Sequence, residues 1–239
     1  MHTEVWKFQT NDRINCSPAI AGTFTFLAGC DEHLRVIDLQ TGKEFRDMPL
    51  ESFLIASPAV VGDLPATVCA TPAELGQQCA VVFTVVTSSA DVENIALGKD
   101  GLIDGMAPGS VLVDCSTIAP EIARLIAAKL AEKNIAMLDA PVSGGEVGAI
   151  AGTLSIMAGG SESAFARAKP AFECMGRNIV HVGASGAGQV AKAANQIVTG
   201  MGVLAVAEAF AFAAKNGVDR GKVREALLGG FAYSKILEN

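Results

Sequence analysis

After residue 63, short apolar runs alternate with stretches whose apolar positions recur every three or four residues. Five runs are typical of strands: residues 80–87, 110–117, 136–142, 154–158 and 178–182. Residues 119–133 predict a helix with one apolar face, and Ser161 is placed to cap a helix over 161–175. Alternating strands and helices predict an α/β fold in which helices pack on a parallel sheet.

Residues 187–215 predict one long helix, and residues 219–228 a shorter one after it. The stretch 193–214 carries a single charge, Glu208, and is long enough to cross a membrane. Asn195, Gln196 and Glu208 would each need a polar partner in hydrocarbon. The pattern therefore favours a buried central helix of a soluble protein over a membrane span.

The first 63 residues follow a different pattern, with short strands at 23–27 and 34–39 and turns at 29–32 and 41–43. The hexapeptide at 17–22 recurs with two changes at 57–62, a spacing of 40 residues that matches a four-stranded propeller blade. Together with Trp6-Lys7-Phe8 and residues 36–43, the repeat makes this segment resemble one blade of the quinoprotein-like β-propellers. An ordinary hairpin domain with a coincidental repeat is the alternative interpretation.

The change of pattern predicts a join between Val61 and Thr67. Limited proteolysis is expected to cut this join first and to leave a protected C-terminal body, because exposed connections are cleaved before packed elements. Mass spectrometry of the earliest fragments measures the position of the cut. Early cuts elsewhere, with 61–67 resistant, would contradict the two-piece organisation.

Composition excludes several classes of protein. Half of the residues are hydrophobic, so the chain can bury a core, and 18 basic against 25 acidic residues give a formal net charge of −7. Basic residues do not cluster, which argues against nucleic acid and acidic membranes as partners. The six cysteines are scattered without a metal or redox spacing, and no leader follows Met1. We therefore expect no metal, reduced thiols and a cytoplasmic location.

Candidate ligand contacts follow three of the predicted strands. These strand ends are Val85-Val86-Thr87, Cys115-Ser116-Thr117 and Val142-Ser143-Gly144-Gly145. Ligands of open α/β sheets bind beyond the carboxyl ends of the strands, where glycine allows close approach and hydroxyls can donate or accept. Turns also favour serine, threonine and glycine, so both interpretations stay open.

A glycine run precedes the long helix, and Gly186-x-Gly188-x-x-Ala191 fits a dinucleotide-binding fingerprint with Glu208 at the acidic position. In a dinucleotide unit that acid ends a second strand, whereas Glu208 lies in a helical stretch. The pattern therefore favours a false fingerprint.

Lys192 and Asn195 share one helical face at the start of the long apolar helix. Desolvation lowers the pKa of a lysine and makes it usable as an acid or base near neutral pH. A solvated lysine at a helix end is the alternative.

From about residue 66 to 239 the chain resembles the β-hydroxyacid dehydrogenase family, in particular 2-hydroxy-3-oxopropionate (tartronate semialdehyde) reductases and 3-hydroxyisobutyrate dehydrogenases. The matching motifs, in order, are Val113-Asp114-Cys115-Ser116-Thr117-Ile118-Ala119-Pro120, Asp139-Ala140-Pro141-Val142-Ser143-Gly144-Gly145, Gly152-Thr153-Leu154-Ser155-Ile156-Met157 and Gly186-Ala187-Gly188-Gln189-Val190-Ala191-Lys192-Ala193-Ala194-Asn195.

The resemblance implies roles for individual residues. It makes Lys192 the catalytic acid/base that exchanges a proton with the substrate oxygen. It assigns the substrate to Ser143, Gly144, Gly145 and Asn195. It assigns the NAD or NADP cofactor to Val86, Thr87 and Thr117.

The resemblance also implies a fold in three parts. Residues 64–185 would form a Rossmann-like parallel sheet without its first βαβ unit, and 186–239 the long interdomain helix and the start of a helical domain. Residues 1–63, the blade-like all-β segment, stand where the family has its G-x-G-x-x-G unit, so the cofactor site is expected to be incomplete.

Three interpretations of function follow. The first is an NAD(P)-dependent oxidoreductase of small 3-hydroxy or 2-hydroxy-3-oxo acids, including a fragment of one that is inactive alone, with self-association through the helical part. The second is a non-enzymatic propeller-type binding protein. The third is a chimera whose two pieces have no joint function.

Overall fold

A computed structural model describes residues 19–21, 24–28, 33–49 and 69–238. The chain divides into two compact units, Met1–Cys69 and Ala70–Asn239. Each unit is described by itself. The predicted join between Val61 and Thr67 lies outside the described residues and stays a prediction.

The first unit contains an antiparallel sheet in the order β1-β2-β3-β4. Its strands are β1 (Ala19–Ala21), β2 (Phe24–Ala28), β3 (His33–Asp38) and β4 (Glu44–Pro49). The strands predicted at 23–27 and 34–39 are confirmed to within one residue. The predicted turn at 41–43 is also present, and the Asp38 carboxylate accepts the backbone N–H groups of Gln40 and Thr41 there.

This sheet has the four antiparallel strands that one propeller blade contains, but simple antiparallel meanders share the same order. Trp6, the repeat at 57–62 and the predicted turn at 29–32 lie outside the described residues. The resemblance to a propeller blade therefore stays a prediction.

The second unit is built on a mixed sheet in the order β10-β9-β7-β6-β5, with β8 paired to β9. Its strands are β5 (Val81–Thr84), β6 (Val111–Asp114), β7 (Ala136–Asp139), β8 (Val142–Ser143), β9 (Leu154–Gly159) and β10 (Gly176–Gly183). Strands β5, β6 and β7 are parallel to one another, and so are β9 and β10, but β9 runs antiparallel to β7. The predicted parallel sheet is therefore confirmed for β5, β6 and β7 and for the β9–β10 pair, whereas the pairing of β7 with β9 makes the sheet mixed. The chain reverses between β8 and β9, where α5 lies, so that β7 and β8 both pair antiparallel with β9.

The helices of this unit confirm the four predicted ones and add others. They are α1 (Pro72–Gln78), α2 (Ser89–Leu97), α3 (Leu102–Gly105), α4 (Pro120–Ala131), α5 (Gly145–Ile150), α6 (Glu162–Met175), α7 (Ala187–Lys215), α8 (Arg220–Leu228) and α9 (Lys235–Glu238). Ser161 caps α6 as predicted, since its hydroxyl accepts the N–H of Ala164. The carboxylate of Asp219 caps α8 in the same way.

Both faces of the sheet are covered, as an α/β fold requires. Leu112 of β6 packs with Val92 of α2 and Ile126 of α4 in one buried cluster. Its neighbours Val111 and Val113 pack with Phe172 of α6 in a second cluster on the opposite face. Strands β5, β6 and β7 are therefore apolar along their length, and each carries its one polar residue at its carboxyl end.

Helix α7 contradicts the prediction of a buried central helix. Of its residues, Gly188, Gln189 and Ala213 are buried, while Ile197, Val198 and Phe212 are 67%, 70% and 72% exposed. It packs on β9, β10, α4, α8 and α9, and Ile236 of α9 lies against Gly202, but residues 196–201 stay exposed among the described residues. Among the described residues, α7 is also the one helix long and apolar enough to cross a membrane, a property shared by helices that pack against other protein.

Candidate active site

Buried polar side chains lie at the carboxyl ends of β5 and β6. The Thr84 hydroxyl donates to Asp114 Oδ1 at 2.9 Å, and the Ser116 hydroxyl donates to the same oxygen at 2.7 Å. The backbone N–H of Val86 donates to Ser116 Oγ at 2.9 Å. The loops after these two strands are thus fixed to each other where the sequence predicts ligand contacts.

Asp114 is a carboxylic acid in the protein interior. It has no exposed surface, and its Oδ2 has no hydrogen-bond partner among the described residues. Burial raises the pKa of Asp114, and the hydrogen bonds from Ser116 and Thr84 oppose that rise. Asp139, its partner in register on β7, is 2% exposed, and burial raises its pKa as well.

We expect the Asp114→Asn variant to lose part of the pH dependence of stability. Because the folded pKa lies above the unfolded value of about 3.9, the stabilisation by protonated Asp114 is complete below the unfolded pKa. It is lost as the pH rises through the folded pKa, at no more than about 1.4 kcal/mol per pH unit. Urea unfolding at a series of pH values above 4 gives the slope of the free energy of unfolding against pH. This slope should be shallower in the variant.

The matched control for this experiment is Glu121→Gln, which removes an exposed carboxylate from α4. Its slope should equal that of the unsubstituted protein. Equal slopes in Asp114→Asn and the unsubstituted protein would show that Asp114 does not hold a proton in the folded state.

The start of α7 is held by the carboxylate of Asp139. The backbone N–H of Gly186 donates to Asp139 Oδ1 at 2.7 Å, and that of Gln189 donates to Oδ2 at 2.9 Å. A Cβ atom at Gly188 would lie 2.2 Å from the carbonyl oxygen of Asp139, so only glycine fits there. Glu208 lies inside α7 and not at the end of a strand. The glycines therefore serve close packing and an internal carboxylate, which supports the interpretation of the fingerprint as false.

The structure brings the predicted catalytic and substrate residues together. The Lys192 Nζ donates to the carbonyl oxygen of Val142 at 2.8 Å, and the Ser143 hydroxyl donates to Asn195 Oδ1 at 3.5 Å. Lys192 is partly buried, and burial lowers the pKa of its ammonium. A lysine at this place can give up or regain a proton more readily than an exposed one.

Gly144 and Gly145 form the turn between β8 and α5. Their φ angles are 143° and 61°, which side chains other than glycine rarely adopt. Both residues are exposed, and a Cβ at Gly145 would meet no atom within 4 Å. Glycine is therefore needed here for the turn itself, and the turn presents its backbone to open space beside Lys192.

The predicted cofactor residues lie at the ends of β5 and β6. Thr117 is exposed and follows Ser116 directly, while Val86 is partly buried and bonded to Ser116. The Thr87 hydroxyl donates to Asp91 at 2.9 Å at the start of α2. This contact stabilises the turn before α2. A structural role in a turn is the alternative to ligand binding that the sequence left open for Thr87.

Sequence reasoning missed Asp139 and Gln189. The Gln189 side chain donates to the carbonyl oxygen of Ser116 at 2.8 Å and accepts the N–H of Ile118 at 3.1 Å, so it joins α7 to the residues on either side of Thr117. The sequence does contain a signal for Asp139, namely an acidic residue at the end of an apolar strand. No signal in the sequence marks Gln189, because its partners are more than 70 residues away.

Two family models match most of the chain. One is described as the NAD binding domain of 6-phosphogluconate dehydrogenase and matches residues 50–183. The other is described as the NAD-binding domain of NADP-dependent 3-hydroxyisobutyrate dehydrogenase and matches residues 186–239. These matches do not support the resemblance of residues 1–63 to a propeller blade.

Curated relatives match about two thirds of the chain. The 2-hydroxy-3-oxopropionate reductase of Escherichia coli is 47% identical over 158 residues, which cover 66% of this chain and 54% of the relative. The 3-hydroxyisobutyrate dehydrogenase of Pseudomonas aeruginosa is 49% identical over 147 residues, covering 62% and 49%. The chain thus spans about half the length of the curated relatives it matches.

Among solved structures, the 3-hydroxyisobutyrate dehydrogenase of Mycobacterium tuberculosis with L-serine has a TM-score of 0.64 at 36% identity. The match covers 69% of this chain and 55% of that one. A protein named Psf3, in complex with NADP+ and 2-OPP, has a TM-score of 0.66 at 26% identity and covers 71% and 60%. The second unit therefore has the α/β fold of these oxidoreductases.

Proposed function

Because the chain belongs to the β-hydroxyacid dehydrogenase family, we propose that it is an NAD(P)-dependent oxidoreductase of small 3-hydroxy acids. The observation that carries the proposal is the partly buried Lys192, whose Nζ lies at the 142–145 turn beside the Ser143–Asn195 pair. An amine with a lowered pKa next to hydroxyl, amide and exposed glycine backbone is suited to proton exchange with a small oxygen-rich substrate.

The residues of this chain divide the chemistry as follows. A nicotinamide dinucleotide, when bound, supplies or accepts the hydride at the substrate carbon. In reduction the Lys192 ammonium donates a proton to the carbonyl oxygen, which becomes the hydroxyl, and Lys192 is left as the neutral amine. In oxidation the neutral amine takes the hydroxyl proton. The substrate carboxylate is bound by Ser143, Asn195 and the backbone of Gly144 and Gly145.

One part of this site is suited to a dinucleotide and another part is not. The exposed Thr117 and the loops after β5 and β6 lie at the carboxyl ends of parallel strands, where α/β folds bind nucleotides. The N-terminus of α7 does not fit a pyrophosphate, because Asp139 already accepts its N–H groups. We therefore expect a bound dinucleotide to place its pyrophosphate away from the start of α7.

The substrate class is argued from what the relatives act on. Their names include 2-hydroxy-3-oxopropionate, 3-hydroxyisobutyrate and L-serine, which share a carboxylate and an oxygen on the third carbon. We propose a substrate of this class for the present chain, tartronate semialdehyde being one example. A cytoplasmic location and self-association through the exposed face of α7 are part of the same proposal.

Titration of the purified chain with NADH and NADPH, followed by nicotinamide fluorescence, tests cofactor binding. Hydride transfer to tartronate semialdehyde, and from 3-hydroxyisobutyrate and L-serine, is then followed by absorbance at high cofactor concentration. We expect transfer with at least one of these acids and none with a simple alcohol such as ethanol. Failure to bind either cofactor together with failure to transfer hydride would contradict the proposal and favour a chain without enzymatic function.

A further inference from the structure

Gln189 is a fully hydrogen-bonded polar side chain in the interior of the second unit. It is 2% exposed, and its amide uses Nε2 to donate to Ser116 and Oε1 to accept from Ile118. Its own backbone N–H donates to Asp139 Oδ2. One residue of α7 is thus bonded to the loop after β6 and to the end of β7.

The two amide bonds lie on either side of Thr117. Ser116 and Ile118 are buried, whereas Thr117 between them is exposed. A bond to each neighbour fixes the backbone of this loop with Thr117 facing outward. The same two bonds fix the loop to the first turn of α7.

Lys192 lies three residues after Gln189 on α7, and so on nearly the same face of the helix. The contacts that orient Lys192 come from the other side of the site, where Val142 accepts from its Nζ. Three residues before Lys192, Gln189 therefore bonds α7 to the Thr117 loop and to the end of β7.

We propose that Gln189 is a positioning residue that locks the Thr117 loop to the first turn of α7 and thereby holds Lys192 against the 142–145 turn. A buried glutamine is costly in an interior unless both ends of its amide are paired, and here both are. An apolar residue of the same size would pack as well but would leave Ser116 and Ile118 with unpaired buried groups. The catalytic consequence of this lock rests on the proposed function, whereas the lock itself does not.

The test uses the full 239-residue chain and three variants. Gln189→Met keeps the size of the side chain and removes both bonds. Gln189→Glu keeps the acceptor for Ile118 but, once ionised, cannot donate to Ser116. Gln77→Met changes an exposed glutamine on α1 and is the matched control. The unfolding transition of each variant is recorded first, so that only folded protein is compared.

The main readout is the acetylation of the Lys192 amine by acetic anhydride at a series of pH values, quantified by mass spectrometry. The midpoint of this profile reports the titration of Lys192, while its plateau reports access to the amine. Exposed Lys129 and Lys215 are internal references. Neither cofactor nor turnover is needed.

We expect the Lys192 midpoint of Gln189→Met to shift upward, because a released helix start exposes the amine to water and removes the burial that lowers its pKa. In Gln189→Glu the added carboxylate by itself raises the pKa of Lys192, so this variant is compared through the plateau of the acetylation profile, which should rise, with Ile118 still protected from amide exchange by NMR. Gln77→Met should match the unsubstituted protein. If Gln189→Met does not fold, the plateau of Gln189→Glu decides: an unchanged plateau would show that Lys192 has stayed in place without the bond to Ser116.

A folded Gln189→Met variant that is less stable but keeps the original Lys192 midpoint would overturn the proposal and leave Gln189 a purely structural residue. A chain that binds neither NADH nor NADPH would count against the proposed function alone. In that case the Lys192 acetylation profile of the Gln189 variants still tests whether Gln189 is a positioning residue.

Discussion

Replacing Lys192 with alanine is expected to abolish hydride transfer to a 3-oxo acid, a loss of about 10²- to 10⁴-fold or more in rate. Hydride addition leaves an alkoxide on the substrate, and a proton donor placed at that oxygen lowers the barrier. Lys192 is the residue whose Nζ lies at the 142–145 turn with a pKa lowered by burial. Steady-state rates at the highest usable cofactor concentration measure the effect.

The control is Lys215→Ala, which removes an exposed lysine from the end of the same helix and should leave the rate unchanged. Lys192→Arg should be nearly as harmful as alanine, because arginine keeps its proton at neutral pH. Asn195→Ala should act mainly on KM, since Asn195 is assigned to substrate binding. Turnover in Lys192→Ala equal to that in Lys215→Ala would remove Lys192 from the mechanism.

The pH dependence of the two directions provides an independent check on Lys192. Reduction needs the ammonium and oxidation needs the neutral amine. Since burial lowers the pKa of Lys192, reduction should slow as the pH rises through that lowered pKa, and oxidation should speed up over the same range. Profiles of both directions that rise together would contradict this assignment.

Most long elements of the second unit could be predicted from the distribution of apolar residues, because α4 and α6 show the helical period, α7 is a long apolar stretch, and β5, β6 and β7 are short apolar runs. The short helices α1 and α2 have too few apolar positions for that. Their caps were readable nevertheless: Thr71 accepts the N–H of Glu74 and Ser88 that of Asp91. The spacing of apolar residues does not depend on the direction of a strand. The reversal of the chain between β8 and β9 could therefore not be predicted from the sequence.

The environment of α7 shows why apolar composition alone does not predict burial. Its apolar residues surround the helix, and composition of that kind is typical of a helix covered on all sides. In the described structure Gly188, Gln189 and Ala213 of this helix are buried. Ile197, Val198 and Phe212 are exposed. What covers a helix depends on tertiary and quaternary partners, which lie outside its own sequence.

Within the site, the group formed by Lys192, Ser143 and Asn195 followed from family resemblance and is present in the structure. The contacts that hold this group in place were not foreseen. Asp139 and Gln189 reach partners 47 to 73 residues away, and local patterns say nothing about contacts of that range. Positioning residues of this kind become visible only when the fold is known.

A second large effect is expected in cofactor binding. The residues before β5 contain no G-x-G-x-x-G motif, the element whose backbone N–H groups hold a pyrophosphate at a helix start. The glycine-rich start of α7 does not replace this motif, because the N–H of Gly186 already donates to the Asp139 carboxylate. Losing several charge-assisted hydrogen bonds, each contributing about 1.5–3 kcal/mol, should weaken NADH and NADPH binding by orders of magnitude.

Fluorescence titration of this chain beside the full-length E. coli reductase in the same buffer measures the difference in affinity. Asp139→Asn tests whether the internal carboxylate blocks the start of α7. The variant keeps one acceptor and loses the charge, so any residual dinucleotide binding should tighten only if the pyrophosphate can reach Gly186. A micromolar dissociation constant in the unsubstituted chain would show that other residues of this protein hold the pyrophosphate. The loops after β5 and β6 would then be the first place to look, because the exposed Thr117 follows the carboxyl end of β6, where α/β folds bind nucleotides.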